Sequence, residues 1–343
     1  MMDSKSHPSF DGHEDVVFVG GDTQGFAGIV AIHSTAIGPA AGGCRIWDYD
    51  SAADALTDAL RLSRGMTYKN AMADLPLGGG KAVIYRINTD RVDAFQKFGA
   101  EVEKLNGRYI TAEDVGATVA DMRAIASRTT YVAGIPKEHG QAGGDPSPMT
   151  ALGVFVSIKA LLGGSVQGKT IAVQGVGAVG FNLCRLLKDE GAKLIVADVN
   201  RANLQRAEAL GVEIAPVDQI HAISADLFSP CALGAGLNER AIPELGAAII
   251  CGAANNQLAT EEDGARLVAR GVTYAPDYVV NAGGIINVSA EYLGEAADVV
   301  ETRVRAIAPR LLHVLETAKS ERLTPHQAAD RIVRERLAAA RKN

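Results

Sequence analysis

Two lysines spaced twelve residues apart are candidates for proton chemistry in this sequence. Lys69 ends an apolar run with helical spacing, and Lys81 follows three glycines and begins a second apolar run. One such lysine is usually a solvated surface group. A lysine that is desolvated near a second cation, however, has a lowered pKa and can act as a base near neutral pH. The pair therefore predicts a general base.

The three glycines before Lys81 do not form a phosphate-binding P-loop. Leu75 stands where the first glycine of that motif belongs, and Ala82 replaces its serine or threonine. We therefore expect the glycines at 78–80 to let another group, such as a substrate, approach the backbone.

Asp114 offers a carboxylate to such a lysine. It follows a predicted strand at residues 109–111, and from there it would orient the lysine or relay protons to it. A second interpretation stays open, in which Asp114 is the N-cap of a predicted helix over residues 118–127.

A dinucleotide-binding pattern, G-x-G-x-x-G, occurs at Gly175, Val176, Gly177, Ala178, Val179 and Gly180. A predicted strand precedes it, a predicted helix follows it, and the next predicted strand ends in Asp198. Gly175 would make the tight turn, Gly177 would admit the pyrophosphate, and Gly180 would let the helix pack closely. The N–H groups at the start of the helix would bind the phosphates.

The carboxylate of Asp198 can bind both ribose hydroxyls and would repel a 2′-phosphate, so the pattern predicts NAD rather than NADP. Arg201, three residues further on, keeps NADP as an alternative. A turn that binds no phosphate is the alternative to the whole motif.

The elements that must position these groups differ between the two halves of the chain. The first half predicts strands at 16–20, 29–33, 44–47, 81–85 and 109–111, a helix capped by Ser51, and a helix over 89–105. The second half predicts strands at 170–174, 194–198, 226–228 and 248–251, with helices over 179–189 and 201–210. This alternation predicts an α/β fold with a parallel sheet covered on both faces.

Two segments complete the pattern along the chain. Residues 135–148 are rich in glycine and proline and predict a loop between domains. The chain is predicted to be helical from about residue 296, with an apolar stripe at Val300, Val304, Ile307, Leu311 and Leu315.

Composition excludes several classes of protein. The 343 residues favour two domains, and a net charge of −6 argues against a nucleic-acid partner. No apolar run reaches the length of a membrane span, and the polar N-terminus resembles no secretion signal. Four widely spaced cysteines without a C-x-x-C pattern predict free thiols and a cytoplasmic location, and seven histidines without a ligand pattern predict no metal site.

Eight sequence motifs follow one another from about residue 37 to residue 290: GPAAGGCR, LRLSRGMTYKNA, LGGGKAVI, YITAEDVG, PSPMTALGV, GVGAVG, GAANNQL and APDYVVNAGGIINV. With these motifs the chain resembles the leucine/phenylalanine/valine dehydrogenase branch of the amino-acid dehydrogenases, relatives of glutamate dehydrogenase. The resemblance implies a mixed-sheet substrate-binding and oligomerisation domain (1–145) and a Rossmann, doubly wound NAD-binding domain (146–319). It also implies a C-terminal helical segment (320–343) that returns to the first domain, an active site in the cleft between the domains, and a homo-oligomer.

The resemblance also implies roles for single residues. Lys81 matches the catalytic lysine, Asp114 the aspartate that assists proton transfer, and Lys69 the lysine that binds the substrate carboxylate. The residues matched to positions at the nicotinamide are Thr150, Asn255, which is also near the substrate amino group, and Asn281. The residues matched to the side-chain pocket are Ala41, Ala112, Ile285 and Val288.

The activity implied by the resemblance is reversible, NAD-dependent oxidative deamination of an L-amino acid to a 2-oxo acid and ammonium. Ala41 stands where glutamate dehydrogenases carry a lysine, so an apolar substrate is expected. Ile285 and Val288 are bulky enough to oppose large aromatic side chains, which favours branched aliphatic substrates, with phenylalanine or tryptophan as the alternative. A catalytically silent NAD-binding regulator is a more distant alternative, and loss of Lys69, Lys81 or Asp114 would have supported it.

Overall fold

The computed structural model describes residues 4–135, 142–232 and 234–342. They form two compact units, the first built from the described residues within 1–144, 288–297 and 333–343 and the second from those within 145–287 and 298–332. The domain boundaries inferred from the sequence stay a prediction. Part of the predicted loop at 135–148 lies outside the described residues.

The first unit contains a six-stranded mixed sheet, as predicted. Its strands are β1 (Asp15–Gly21), β2 (Phe26–Ser34), β3 (Ala40–Ala41), β4 (Cys44–Ile46), β5 (Gly78–Ile87) and β6 (Tyr109–Ile110). The order is β1-β2-β5-β3-β6, with β4 on β5. Strands β1, β2 and β5 pair antiparallel, whereas β3, β4 and β6 join in parallel.

Helices cover both faces of this sheet, which explains why all nine residues of β2 are buried. They are α1 (Ala52–Met72), α2 (Arg91–Lys104) and α3 (Val119–Ala126). Ile29 and Ala31 pack in the cluster that includes α1, while Val30 and Ile32 pack in the cluster that includes α2 and α3. Alternation of side chains along a strand produces this division.

Helix caps confirm one sequence prediction and overturn another. The side chain of Ser51 accepts a hydrogen bond from the backbone N–H of Asp54 and caps α1, as predicted. Helix α3 is capped by Thr118, whose hydroxyl accepts from the N–H of Asp121 while the Asp121 carboxylate accepts from the N–H of Thr118. The interpretation of Asp114 as the cap of this helix is therefore wrong, because Thr118 occupies the N-cap position and forms a capping box with Asp121.

The second unit contains a parallel sheet, also as predicted. Its strands are β7 (Thr170–Gln174), β8 (Lys193–Ala197), β9 (Glu213–Ile214), β10 (Leu227–Pro230), β11 (Ile249–Ile250) and β12 (Thr273–Tyr274). The order is β12-β11-β10-β7-β8-β9, and every pair is parallel. This is the sheet of a doubly wound α/β fold.

Nine further helices follow in chain order within the described ranges. They are α4 (Ser147–Leu161), α5 (Ala178–Asp189), α6 (Arg201–Glu208), α7 (Glu261–Ala269), α8 (Asp277–Val280), α9 (Gly283–Leu293), α10 (Ala297–Arg305), α11 (Ile307–Glu321) and α12 (Pro325–Ala340). Of the predicted apolar stripe, four residues are buried and Leu315 is half-buried. Across the described ranges, no helix combines the length and apolar character needed to cross a membrane.

All four cysteines are free thiols. Cys44, Cys184 and Cys251 are buried, and Cys231 is half-buried. The prediction of free thiols is confirmed.

Candidate active site

Lys81 and Asp114 form a buried ion pair in the first unit. Lys81 lies on β5 and is 5% exposed, and its Nζ contacts Oδ2 of Asp114. Strand β4 brings the two together, because Cys44 pairs with Ala82 on one side and with Glu113 on the other. Lys81 precedes Ala82 in sequence and Asp114 follows Glu113, so the side chains of Lys81 and Asp114 meet.

Burial is the main reason that the pKa of Lys81 lies below its usual range, although the Asp114 carboxylate opposes the shift. Burial alone would raise the pKa of Asp114, but Lys81 and Arg45 lower it overall. The sequence interpretation used Lys69 as the second cation, whereas in the structure a further cation that lowers the pKa of Lys81 is Arg45. Lys69 itself is half-buried on α1.

Arg45 was missed by the sequence interpretation. Its Nε donates to Asp114 Oδ2 at 3.3 Å, and its Nη1 donates to Asp58 Oδ2 at 2.9 Å. The hydroxyl of Tyr49 donates to the same Asp58 oxygen. Arg45 ends the motif GPAAGGCR, and that position was the only signal in the sequence. We call Lys81, Asp114, Arg45, Asp58 and Tyr49 the Lys81 cluster.

The glycines at 78–80 serve packing and not the approach of a substrate, so that expectation is wrong. All three lie within β5, which begins earlier than predicted. A Cβ on Gly79 would lie 2.0 Å from the backbone nitrogen of Thr67, and a Cβ on Gly78 would lie 2.0 Å from the backbone oxygen of Ser34. The missing side chains therefore let α1 and β2 lie against the strand that carries Lys81.

The residues matched to the side-chain pocket occupy several elements. Ala41 is 7% exposed on β3, and its carbonyl accepts from Asn70 Nδ2 at 3.3 Å. The same amide donates to the carbonyl of Gly78 at 2.6 Å, which ties β3 and β5 to the helix of Lys69. Three other matched residues are half-buried: Ala112, and on α9 Ile285 and Val288.

In the second unit, the glycine pattern forms a loop between β7 and α5, here called the dinucleotide loop (residues 175–180). Gly175 has a φ of +90°, a conformation that favours glycine. A Cβ on Gly180 would lie 2.0 Å from the Gly175 oxygen, so this glycine permits close packing. At Gly177, apart from the glycine and its two neighbours in sequence, no atom of the described residues lies within 4 Å of a Cβ position, and α5 has no side-chain cap there.

Asp198 follows β8 and contacts this loop directly. Its Oδ2 accepts from the N–H of Val176 at 2.8 Å, and its Oδ1 accepts from the N–H of Asn200 at 2.7 Å. Arg206 donates to the carbonyl of Val176 at 3.0 Å, so the loop is held on both sides. Arg201 is exposed at the start of α6.

The structure also brings together two of the asparagines matched to the nicotinamide site. Buried Asn281 donates to Oδ1 of exposed Asn255 at 2.9 Å and to the carbonyl of Ala253 at 3.1 Å. Thr150 lies on α4 and donates to the carbonyl of Pro146. No group of three or more potential metal ligands occurs within the described part of the chain.

Comparison with known proteins identifies two matching family models. The model described as Glu/Leu/Phe/Val dehydrogenase, dimerisation domain, matches residues 13–131. The model described as Glutamate/Leucine/Phenylalanine/Valine dehydrogenase matches residues 196–343. Together they cover most of the chain.

Similar proteins extend over nearly the whole chain. Leucine dehydrogenase from Bacillus subtilis (strain 168) is 47% identical over 341 residues, covering 96% of this chain and 93% of that protein. L-tryptophan dehydrogenase from Nostoc punctiforme is 43% identical, covering 97% of this chain and 95% of that protein. The crystal structure of L-tryptophan dehydrogenase from Nostoc punctiforme superimposes with a TM-score of 0.88 and 41% identity, covering 97% of this chain and 98% of that chain.

Proposed function

This chain belongs to the glutamate/leucine/phenylalanine/valine dehydrogenase family, and we propose that it catalyses the reversible, NAD-dependent oxidative deamination of an apolar L-amino acid. The products are the 2-oxo acid and ammonium. The observation that carries the proposal is the buried amine of Lys81 beside Asp114, because its lowered pKa suits a general base.

Features of the dinucleotide loop support NAD as the cofactor. The open space at Gly177 would admit a pyrophosphate, and the uncapped start of α5 would leave N–H groups for its charge. The carboxylate of Asp198 stands at the end of β8, where it would accept hydrogen bonds from the ribose hydroxyls. Thr150, Asn255 and Asn281 would contact the nicotinamide end. NAD, when bound, supplies the acceptor for the hydride.

The residues of the first unit supply charge and proton transfer. Lys69 binds the substrate carboxylate as a point charge. The substrate loses hydride from Cα and becomes an imine. Neutral Lys81 then takes a proton from water, which attacks the imine carbon, and Asp114 assists this transfer. The carbinolamine collapses to the 2-oxo acid and releases ammonium.

We propose branched aliphatic amino acids, such as leucine and valine, as the preferred substrates. Ala41 is buried and uncharged, so the second carboxylate of glutamate would lack a partner, which costs on the order of several kcal/mol. The four residues that we propose for the side-chain site, Ala41, Ala112, Ile285 and Val288, all have apolar side chains. The 47% identity to a leucine dehydrogenase supports the same choice.

Phenylalanine or tryptophan is the second candidate substrate class. The 43% identity to an L-tryptophan dehydrogenase favours it. One methylene changes discrimination by only about 1–3 kcal/mol, so several apolar substrates can be accepted by one pocket.

The proposal includes a homo-oligomer in the cytoplasm. Its support is the match of residues 13–131 to a model described as a dimerisation domain, together with the four free thiols.

Steady-state kinetics with NAD and a panel of L-amino acids test the proposal. We expect kcat/KM to be highest for leucine or valine, lower for phenylalanine and tryptophan, and lowest for glutamate. A preference for glutamate would contradict the assignment of Ala41. NADH binding without turnover of any amino acid would instead indicate a silent regulator.

A further inference from the structure

Arg45 links Asp114 to a second carboxylate that the proposed reaction does not use. Its Nε donates to Asp114 Oδ2, and its Nη1 donates to Asp58 Oδ2. The side chains are partly shielded from water, at 24% exposure for Arg45, 29% for Asp58 and 20% for Asp114. The Tyr49 hydroxyl donates to Asp58 as well, so Arg45 and Tyr49 together hold the Asp58 carboxylate in place.

Two cations contact the same oxygen of Asp114. Lys81 Nζ and Arg45 Nε both contact Oδ2 of Asp114. We propose that Arg45 is a positioning residue of this enzyme: anchored by Asp58, it holds the Asp114 carboxylate beside Lys81 and shares its charge. The proposal deepens the proposed function and rests on it, because it presumes that Lys81 is the base.

The charge balance explains why a second cation is needed. A carboxylate beside an amine favours the protonated amine, and a protonated Lys81 cannot act as a base. Arg45 offsets this effect, because it lowers the pKa of Lys81 while Asp114 raises it. Without Arg45, Lys81 would hold its proton more tightly, and the pH at which activity rises would be higher.

The other groups around Arg45 do not replace this charge. Burial raises the pKa of the neighbouring Cys44 thiol, which keeps it neutral. Burial and Asp58 raise the pKa of Tyr49, which also stays neutral. Asp54 and Arg61 of α1 line a cavity of about 450 Å³ together with Arg45. Because exposed Arg61 lines the same cavity, it provides a matched control.

The test compares the pH profiles of kcat/KM for leucine in the unmodified enzyme and in the variants Arg45→Gln, Arg45→Lys and Arg61→Gln. We expect Arg45→Gln to move the acidic limb to higher pH by about one unit and to lower kcat, with NADH binding unchanged. In Arg45→Lys, the acidic limb should return most of the way to its position in the unmodified enzyme. The kcat should stay low, because lysine lacks the guanidinium fork. Arg61→Gln should leave the profile in place.

Two outcomes would overturn the proposal. One is an unchanged profile in Arg45→Gln, and the other is an equal shift in Arg45→Gln and Arg61→Gln, which would indicate a general surface-charge effect. If Arg45→Gln does not fold, Asp58→Asn carries the test. It should lower kcat while leaving NADH binding unchanged, because Arg45 loses the anchor that holds it against Asp114. An unchanged kcat in Asp58→Asn would overturn the proposal.

A measurement without turnover separates this proposal from the proposed function. NMR titration of ¹³C-labelled lysine side chains, with the Lys81 signal assigned by Lys81→Met, reports the pKa of Lys81 directly. We expect this pKa to rise in Arg45→Gln even if the substrate assignment is wrong. An unchanged Lys81 pKa would overturn the role of Arg45 alone.

Discussion

The Lys81 cluster in the first unit and the dinucleotide loop in the second unit use different parts of the chain for chemistry. In the cluster, side chains from β4, β5, α1 and the segment after β6 meet, and burial together with neighbouring charges adjusts the pKa of the lysine. In the loop, the backbone supplies the binding groups, and glycines leave room for the ligand or for close packing. The first region therefore depends on electrostatics and the second on backbone shape.

This difference predicts how each region responds to change. Substitutions in the cluster should alter rates and pH dependence, whereas substitutions in the loop should alter cofactor binding or folding.

Lys81→Ala should have the largest effect. We expect kcat to fall by about 10²–10⁴-fold, the range that a general base contributes. NADH binding, measured by fluorescence titration, should stay nearly unchanged because Lys81 lies in the first unit and acts on the substrate carbon. If the variant keeps more than about a tenth of the kcat, the amine lowers the activation barrier by less than about 1.4 kcal/mol. Lys81 would then not be the general base.

Acid pH should destabilise the first unit through a buried histidine. His33 on β2 is 6% exposed, and its Nδ1 lies 2.8 Å from the hydroxyl of Thr67. Burial, and then the charge of nearby His13, lowers the pKa of His33 from 6.5 to about 4. The unfolded chain therefore takes up this proton first, and stability is lost as the pH falls from 6.5 to about 4, by about 3 kcal/mol in total.

Urea unfolding between pH 7 and pH 4 tests this prediction. His33→Gln should show a smaller loss of unfolding free energy over this range than the unmodified protein. His313→Gln, which replaces an exposed histidine on α11, should lose as much unfolding free energy over this range as the unmodified protein. An equal pH dependence in all three proteins would contradict the assignment to His33.

Asp198→Ser should change cofactor choice without affecting the Lys81 cluster. The unmodified enzyme is expected to prefer NAD, and the substitution should reduce or reverse the preference by at least about tenfold, since juxtaposed like charges cost on the order of several kcal/mol. The ratio of kcat/KM for NAD and NADP measures the effect. Equal use of NADP by the unmodified enzyme would contradict the assignment of Asp198 to the ribose hydroxyls. Arg201→Gln would then test whether Arg201 binds the 2′-phosphate of NADP.

Two glycines of the dinucleotide loop should respond differently to alanine. In Gly177→Ala the new methyl group enters open space, so thermal stability should hold while NADH binds about tenfold more weakly, as expected for a clash of about 1–3 kcal/mol with the ligand. In Gly180→Ala the methyl group would overlap the Gly175 oxygen, so stability itself should fall. If both variants bind NADH as tightly as the unmodified protein, the assignment of the dinucleotide loop to the cofactor is contradicted.

The strands of the first unit were predicted from sequence except for β3, whereas β9 and β12 of the second unit were both missed. Strand β7 occupies the predicted residues, because a short apolar run followed by glycines has few alternatives. In the first unit, β3 has only two residues, too few for a periodic pattern. The contact between Arg45 and Asp114 joins residues 69 positions apart, and no local spacing encodes it.

Misinterpretation of the glycines at 78–80 has a similar physical cause. Their sequence indicates that space beside the backbone is needed, but the atoms that occupy the space come from other elements. Thr67 of α1 and Ser34 of β2 fill it in the structure. The roles of Lys69, Thr150, Asn255 and Asn281 came from the family resemblance and stay predictions.

The central claim is that hydride transfer to NAD and deamination of an amino acid occur in one reaction on this chain. The most direct test incubates the purified protein with L-leucine and NAD at alkaline pH and quantifies NADH, ammonium and the 2-oxo acid. The account predicts the three products in equal amounts, and their initial rate of formation should be about 10²–10⁴-fold lower in Lys81→Ala. Formation of NADH without ammonium, or an equal initial rate in Lys81→Ala, would contradict it.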